Sequence, residues 1–158
     1  MAKTPDQFHQ EVEDWAKELI SQLSKAERRK LARHIGTRLR RANAKRIRAQ
    51  EGPNGEAWPP RRPRNRRGSG GSRGKMLLGF SKAKYMKVKL GDGGVMVGFW
   101  GHTARLARVH QYGLRSKVGP HGPRVRYPER PLLGFSHADR EMIRDLIVEW
   151  LDNNQTGL

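Results

Sequence analysis

The chain has 158 residues, 33 Lys and Arg against 15 Asp and Glu, a formal net charge of +18 and no cysteine. That length makes one domain, residues 1–158, the default, and the lack of thiols excludes a disulfide framework or a thiolate metal site. Leu, Ile, Val and Phe together supply only 31 residues. So thin a supply leaves a charged chain either partly disordered alone or completing its burial against copies of itself or a partner, and the periodic segments below favour a modest core plus self-assembly.

In chain order, Thr4-Pro5-Asp6-Gln7 reads as a helix start, with proline at the first helical position. Phe8, Val12, Trp15, Leu19 and Leu23 then recur at three- and four-residue spacing as one apolar stripe. Ser24-Lys25-Ala26-Glu27 is a capping box. The helix it opens runs toward Gln50 along Leu31, Ile35, Leu39, Ala42 and Ile47, and its other faces carry ten Lys and Arg between Arg28 and Arg48. Gly52-Pro53 ends this helical region, 1–51, and an Asn54-Gly55 turn brings in Trp58. Residues 52–75 form that turn and a flexible basic loop, since residues 60–75 have neither periodicity nor an acid.

Region 76–135 reads as a small sheet and a strap. Met86, Val88 and Leu90 alternate with lysines, Gly91-Asp92-Gly93-Gly94 supplies a turn, and Val95, Val97 and Phe99 continue the alternation on a returning strand. Residues 103–112 are open between helix and strand, with Leu106, Val109 and the stop at Gly113 favouring a short helix. Residues 118–127 are loop or edge strand. The strap follows, a proline-stiffened run delivering Tyr127, Leu132, Leu133 and Phe135 to a helix over 136–152. That helix is capped by Ser136-His137-Ala138-Asp139, and Met142, Ile143, Leu146, Ile147 and Trp150 form its apolar face. The predicted fold class is α+β: a helical N-terminal half, a small antiparallel sheet, a closing C-terminal helix and one long basic loop.

No site for catalysis emerges. Ser69-Gly70-Gly71-Ser72-Arg73-Gly74-Lys75-Met76 imitates a phosphate-binding loop, but Ser69 and Met76 stand where glycine and a metal-binding hydroxyl are required. The six histidines show no metal-ligand spacing, and no nucleophile–base pattern occurs. The chain is therefore expected to be a scaffold without a cofactor or metal, and not an enzyme. No apolar run approaches the roughly 18 residues of a membrane span. Nor does the N-terminus have a signal-peptide core, so the expected place is a cytoplasm or an assembly built there.

Charge offers the one binding signal. Between Glu56 and Glu129 the only acid is Asp92, against 17 Lys and Arg. Arg61, Arg62, Arg64, Arg66, Arg67, Arg73 and Lys75 form the candidate contact for a polyanion or an acidic partner, because guanidinium forks suit phosphate oxygens and neutralised phosphates release counterions. Aromatic residues are missing from that stretch, so base readout is not expected. The bland reading is a solvated loop. A protein of another class, binding nucleic acid without sequence preference through the basic helix and the arm, is the alternative.

Four short runs remain: Arg46-Ile47-Arg48-Ala49-Gln50, Pro53-Asn54-Gly55-Glu56-Ala57-Trp58-Pro59-Pro60, His110-Gln111-Tyr112-Gly113 and Arg130-Pro131-Leu132-Leu133-Gly134. In motif and order they resemble the tail-completion (virion morphogenesis) proteins of contractile-tailed bacteriophages. The resemblance spans residues 46 to 136 and leaves out the first 40 residues and the arginine-rich stretch. It implies a structural factor that completes the head-proximal end of the tail and enables head–tail joining, as a ring, hexameric by analogy. The implied partners are tail-tube or tail-terminator proteins, connector proteins, further copies of the chain, and packaged DNA in non-specific contact. The implied location is the virion tail, with the host cytoplasm during assembly. Arg46, Gln50, Trp58, His110, Gln111, Arg130, Leu132 and Leu133 are the candidate structural or interface anchors. His110 reads as a structural histidine, Arg130 as a donor to carbonyls or a carboxylate, and Trp58 as either a cover for the helix end or an intersubunit anchor.

Overall fold

Residues 5–61 and 74–155 are described in the computed structural model. Helix α1 spans Pro5–Gln22 and α2 Lys25–Ala49. A 3-10 turn at Leu78–Ser81 precedes strands β1, Lys87–Gly91, and β2, Gly94–Gly98. Helix α3, Gly101–Gln111, strands β3, Arg115–Lys117, and β4, Arg124–Arg126, and helix α4, His137–Gln155, complete the order. The architecture is α+β.

Helix α2 is the spine. Its capping box closes on both sides: Ser24 N–H donates to Glu27 Oε2 at 2.8 Å and Glu27 N–H to Ser24 Oγ at 3.2 Å. Hydrogen bonding to the carboxylate from Ser24, its side chain first and its backbone N–H second, holds the Glu27 carboxyl below its usual value. The β1–β2 hairpin packs across α2 at Gly36, where an added Cβ would lie 2.5 Å from Val95 Cγ2 and 2.6 Å from Val88 Cγ1. Antiparallel pairing runs from Lys87 opposite Gly98 to Gly91 opposite Gly94 around the predicted Asp92-Gly93 turn.

Two apolar clusters sit at opposite ends of this spine. Ile47, Trp58, Met86, Ala107 and Leu132 form the larger, flanked by Leu77, Phe80, Val97, Phe99 and Leu133. Leu23, Leu31 and Leu151 form the smaller, with Leu19, Ile35, Ile147 and Trp150 against it. Burying a side chain such as Ile47 stabilises by about 1.5–3 kcal/mol.

Several expectations change. Residues 118–127 divide into a turn and an edge strand, β4, and the unforeseen part is its partner β3, with Arg115 opposite Arg126 and Lys117 opposite Arg124 in a second hairpin. Its three-residue strands are too short and too exposed to show alternation. The open segment 103–112 takes the favoured helical form as far as Gln111, and Tyr112 is the C-cap. On α1, Leu19 and Leu23 join the smaller core but Trp15 is 51% exposed; Thr4 and the side chains of Phe8 and Val12 lie outside those described. Along α2 Leu31, Leu39 and Ile47 are buried as expected, but Asn43 is buried with them while Ala42 is only half-buried. Phe135 is exposed, and α4 buries Leu151 while its predicted face is half-buried and runs on to Gln155.

Candidate functional site

The C-terminal end of α2 stops because Gln50 takes a left-handed conformation, φ 63° and ψ 40°. Its N–H still reaches the Ile47 carbonyl at 3.1 Å. Its side-chain amide donates to the carbonyls of Ile47 at 2.6 Å and Met76 at 2.9 Å and accepts from Met76 N–H at 2.5 Å. Gln50 thereby pins the chain where it returns from the arginine-rich stretch. Gly52 N–H donates to the Glu56 carbonyl at 2.9 Å and Trp58 N–H to the Gln50 carbonyl at 2.7 Å, so the Pro53-Asn54-Gly55 turn folds straight back. The Trp58 ring is thus set into the larger core, 6% exposed, and its buried Nε1 has no hydrogen-bond partner among the described residues.

A second glutamine repeats the device. Gln111, at the end of α3, donates to the Leu133 carbonyl at 3.0 Å, and its Oε1 accepts from Leu132 N–H at 2.8 Å and Leu133 N–H at 3.0 Å. The strap is therefore held by an amide that copies a strand edge, with Leu132 driven into the core at 2% exposure. Asn43 fixes its next residue: Oδ1 accepts from Gly134 N–H at 3.1 Å while Nδ2 donates to the Leu39 carbonyl at 3.0 Å. Arg46 then donates to Asn43 Oδ1 at 2.8 Å and to the Gly134 carbonyl at 3.1 Å, and pairs with Asp139 Oδ2 at 2.8 Å. Asp139 is also the capping partner of Ser136, accepting from its N–H at 2.9 Å and donating its own N–H to Ser136 Oγ at 3.0 Å. One buried ion pair therefore joins α2 to the start of α4. Breaking such a pair from one side costs about 3–5 kcal/mol.

Arg130 is 2% exposed and has carbonyls as partners: Nε donates to Pro59 at 2.9 Å and NH2 to Pro60 at 3.1 Å, while its N–H donates to the His110 carbonyl at 2.7 Å. Burial pulls its guanidinium below the usual value. His110 meets the edge of Tyr127 at 5.1 Å, and its buried Nδ1 lacks a partner among the described residues. Burial, with the Arg130 charge second, holds this imidazole below its ordinary value of 6.5.

Around this clamp lie the cations. Arg61 and Lys75 come together on an open hollow of about 580 Å³, lined also by Leu78, Phe80, Tyr85 and Leu106. Lys75 Nζ donates to the Arg48 carbonyl at 3.1 Å, a favourable place for a cation at a helix C-terminus. Arg62, Arg64, Arg66, Arg67 and Arg73 lie outside the described residues. A second cationic hollow, of about 390 Å³, runs along α2 and is lined by Arg29, Lys30, Arg33, Arg38, Arg41 and, from α4, Trp150.

Residues 8–152 match the phage virion morphogenesis family. The chain is also 32% identical over 142 residues, 89% of its length and 95% of the relative's, to tail completion protein S of Escherichia phage P2. The chain belongs to the phage virion morphogenesis family. No solved structure matches.

In this member of the virion morphogenesis family, Arg46, Gln50, Trp58, Gln111, Arg130 and Leu132 converge on one seam, where the α2 end, the Trp58 turn and the strap meet. Each polar one bonds backbone across a long sequence separation. Leu133 packs against the same core and His110 lies beneath the strap. Missed by sequence reasoning were Asn43 and Asp139 as members of the clamp, the contact of Pro53 with Gly134, and the hollow that the α2 arginines line with Trp150. The signal for Asn43 was its place four residues after Leu39 and four before Ile47. Among the described residues no helix is long and apolar enough to cross a membrane, and no group of three His, Asp or Glu could hold a metal ion.

Proposed function

We propose that this protein completes the head-proximal end of a phage tail and makes that end competent to join a filled head, acting as a ring of identical chains. The observation that carries the reading is the identity to a protein named for tail completion, nearly end to end. The geometry supports it. A scaffold stitched by side-chain-to-backbone bonds gives rigid shape, while Trp15, Met96, Tyr112 and Phe135, each more than half exposed, leave apolar groups for neighbours to cover. The charge of +18 gives fast, non-specific attraction to acidic surfaces. Its partners are then tail-tube or terminator proteins on one side and connector proteins on the other, met in the host cytoplasm and retained in the virion. The clamp residues build the shape, and the cations of residues 61–75 make the contact.

The test is genetic and visual. Deleting the gene from a phage or prophage that encodes it is expected to leave finished tails and filled heads unjoined in electron micrographs, with joining restored by the wild-type gene in trans. Normal particles from the deletion would refute the proposal, as would a lysate without tails, which would place the protein earlier in assembly.

A further inference from the structure

The arginine row on α2 is unexplained by the clamp, and neither Arg61 nor Lys75 lines its hollow. Arg29, Arg33 and Arg41 share a ridge at intervals of four and eight residues, and Lys30 and Arg38 line the same hollow beside it. At 1.5 Å per residue, the row from Arg29 to Arg41 is about 18 Å long. No lining residue of this hollow is acidic. Helix α2 has a single acid, Glu27, already engaged by the Ser24 cap. None of the four arginines has an ion-pair partner among the described residues. Like charges one turn apart disfavour the helix that bears them, so the row has no benefit to α2 itself.

We propose that this α2–α4 hollow is a polyanion site that takes the phosphate backbone of duplex DNA without sequence preference. The match is one of shape and chemistry. Five cations spread along about 18 Å of one helix suit a rod with a regular negative charge per unit length, and duplex DNA carries one charge per about 1.7 Å of axis. Four of the five cations are arginine, whose planar fork pairs with two phosphate oxygens at once. Asn and Gln, the amide readers of adenine, are missing from the lining, so contact is with the backbone and not with the sequence. The surface of an acidic protein is the less fitting occupant, because protein interfaces deplete charge at their centre and keep it at the rim. The site stands whether or not the chain acts in tail completion.

The experiment uses the full-length protein and a short duplex of arbitrary sequence, with affinity measured by fluorescence anisotropy from about 50 to 200 mM salt. Replacing Arg29, Arg33, Arg38 and Arg41 together by Gln is expected to make the slope of log K against log salt shallower by about 3 to 4. Arg33→Gln alone is expected to remove about 1. Circular dichroism and a melt of each variant check that α2 survives, and the single variant keeps the test valid if the quadruple one unfolds. Neutralising Arg62, Arg64, Arg66 and Arg67 is expected to leave the α2 contribution in place. Folded α2 variants that keep the wild-type slope would overturn the site. So would a quadruple variant that loses binding to polyglutamate while its duplex affinity stands, which would assign the hollow to an acidic protein.

Discussion

At the scale of single residues, the chain spends its polar side chains on its own backbone. Gln50 and Gln111 each use both ends of an amide to hold a segment more than twenty residues away, and Asn43 Oδ1 reaches across 91 while its Nδ2 bonds within α2. Removing one partner leaves buried donors and acceptors unpaired, which costs about 1–3 kcal/mol each. His110 makes the same economy testable by pH. Its imidazole is held below 6.5 by burial and by Arg130, so the folded chain resists a proton that the unfolded chain accepts. The contribution of this group is therefore complete above 6.5 and is lost as pH falls from there to the lower folded value. His110→Gln cannot titrate. Melts of the two proteins between about pH 8 and 5 are expected to show the wild type losing more stability on acidification. The other five histidines are common to both, so equal losses would show that His110 is not coupled to folding.

At the scale of elements, α2 organises everything, and Gly36 is where it meets the hairpin. Gly36→Val inserts a branched side chain against Val88 and Val95 and is expected to destabilise by about 1–3 kcal/mol, read from the midpoint of urea unfolding. An unchanged midpoint would mean that β1–β2 does not seat on α2 as described. How much of this was legible follows from the range of the signals. The Ser24 and Ser136 caps, the stop expected at Gly52-Pro53 and the alternation from Met86 to Phe99 are local, and they marked α2, α4 and the first hairpin in the sequence, although α2 ends two residues earlier, on Gln50. Asn43 was hidden because its burial depends on Gly134, and the apolar line shifted to Ala42 in its place. Trp15 looked like part of a stripe, but among the described side chains of that stripe Leu19 and Leu23 are the ones that meet a core. The β3–β4 hairpin escaped because Arg115, Lys117, Arg124 and Arg126 carry no apolar period. Of the site, the four short runs named the seam residues; that they meet one another is a property of the fold alone.

At the scale of the whole molecule, two small clusters and a charge of +18 describe a chain that repels its own copies yet leaves large apolar groups uncovered. These tendencies oppose each other, and screening decides between them. Surface repulsion weakens as the Debye length shortens from about 10 Å at 0.1 M to about 3 Å at 1 M salt, while apolar burial is retained. A ring of this chain is therefore expected to form with added salt, or on an acidic tail surface that supplies the screening, and to be monomeric at low salt. Mass action then ties stability to concentration. At a protein concentration a hundred times the dissociation constant, assembly adds about 2.7 kcal/mol. For a domain of this size that is a rise in Tm of roughly 5–10 °C. Melting curves over a hundredfold range of protein, at low and high salt, with sedimentation velocity on the same samples, measure both. The expected pattern is a Tm independent of concentration at low salt and rising with it at high salt, together with a larger sedimenting species. A flat Tm and a monomer throughout, with isolated tails present as well, would sink the ring.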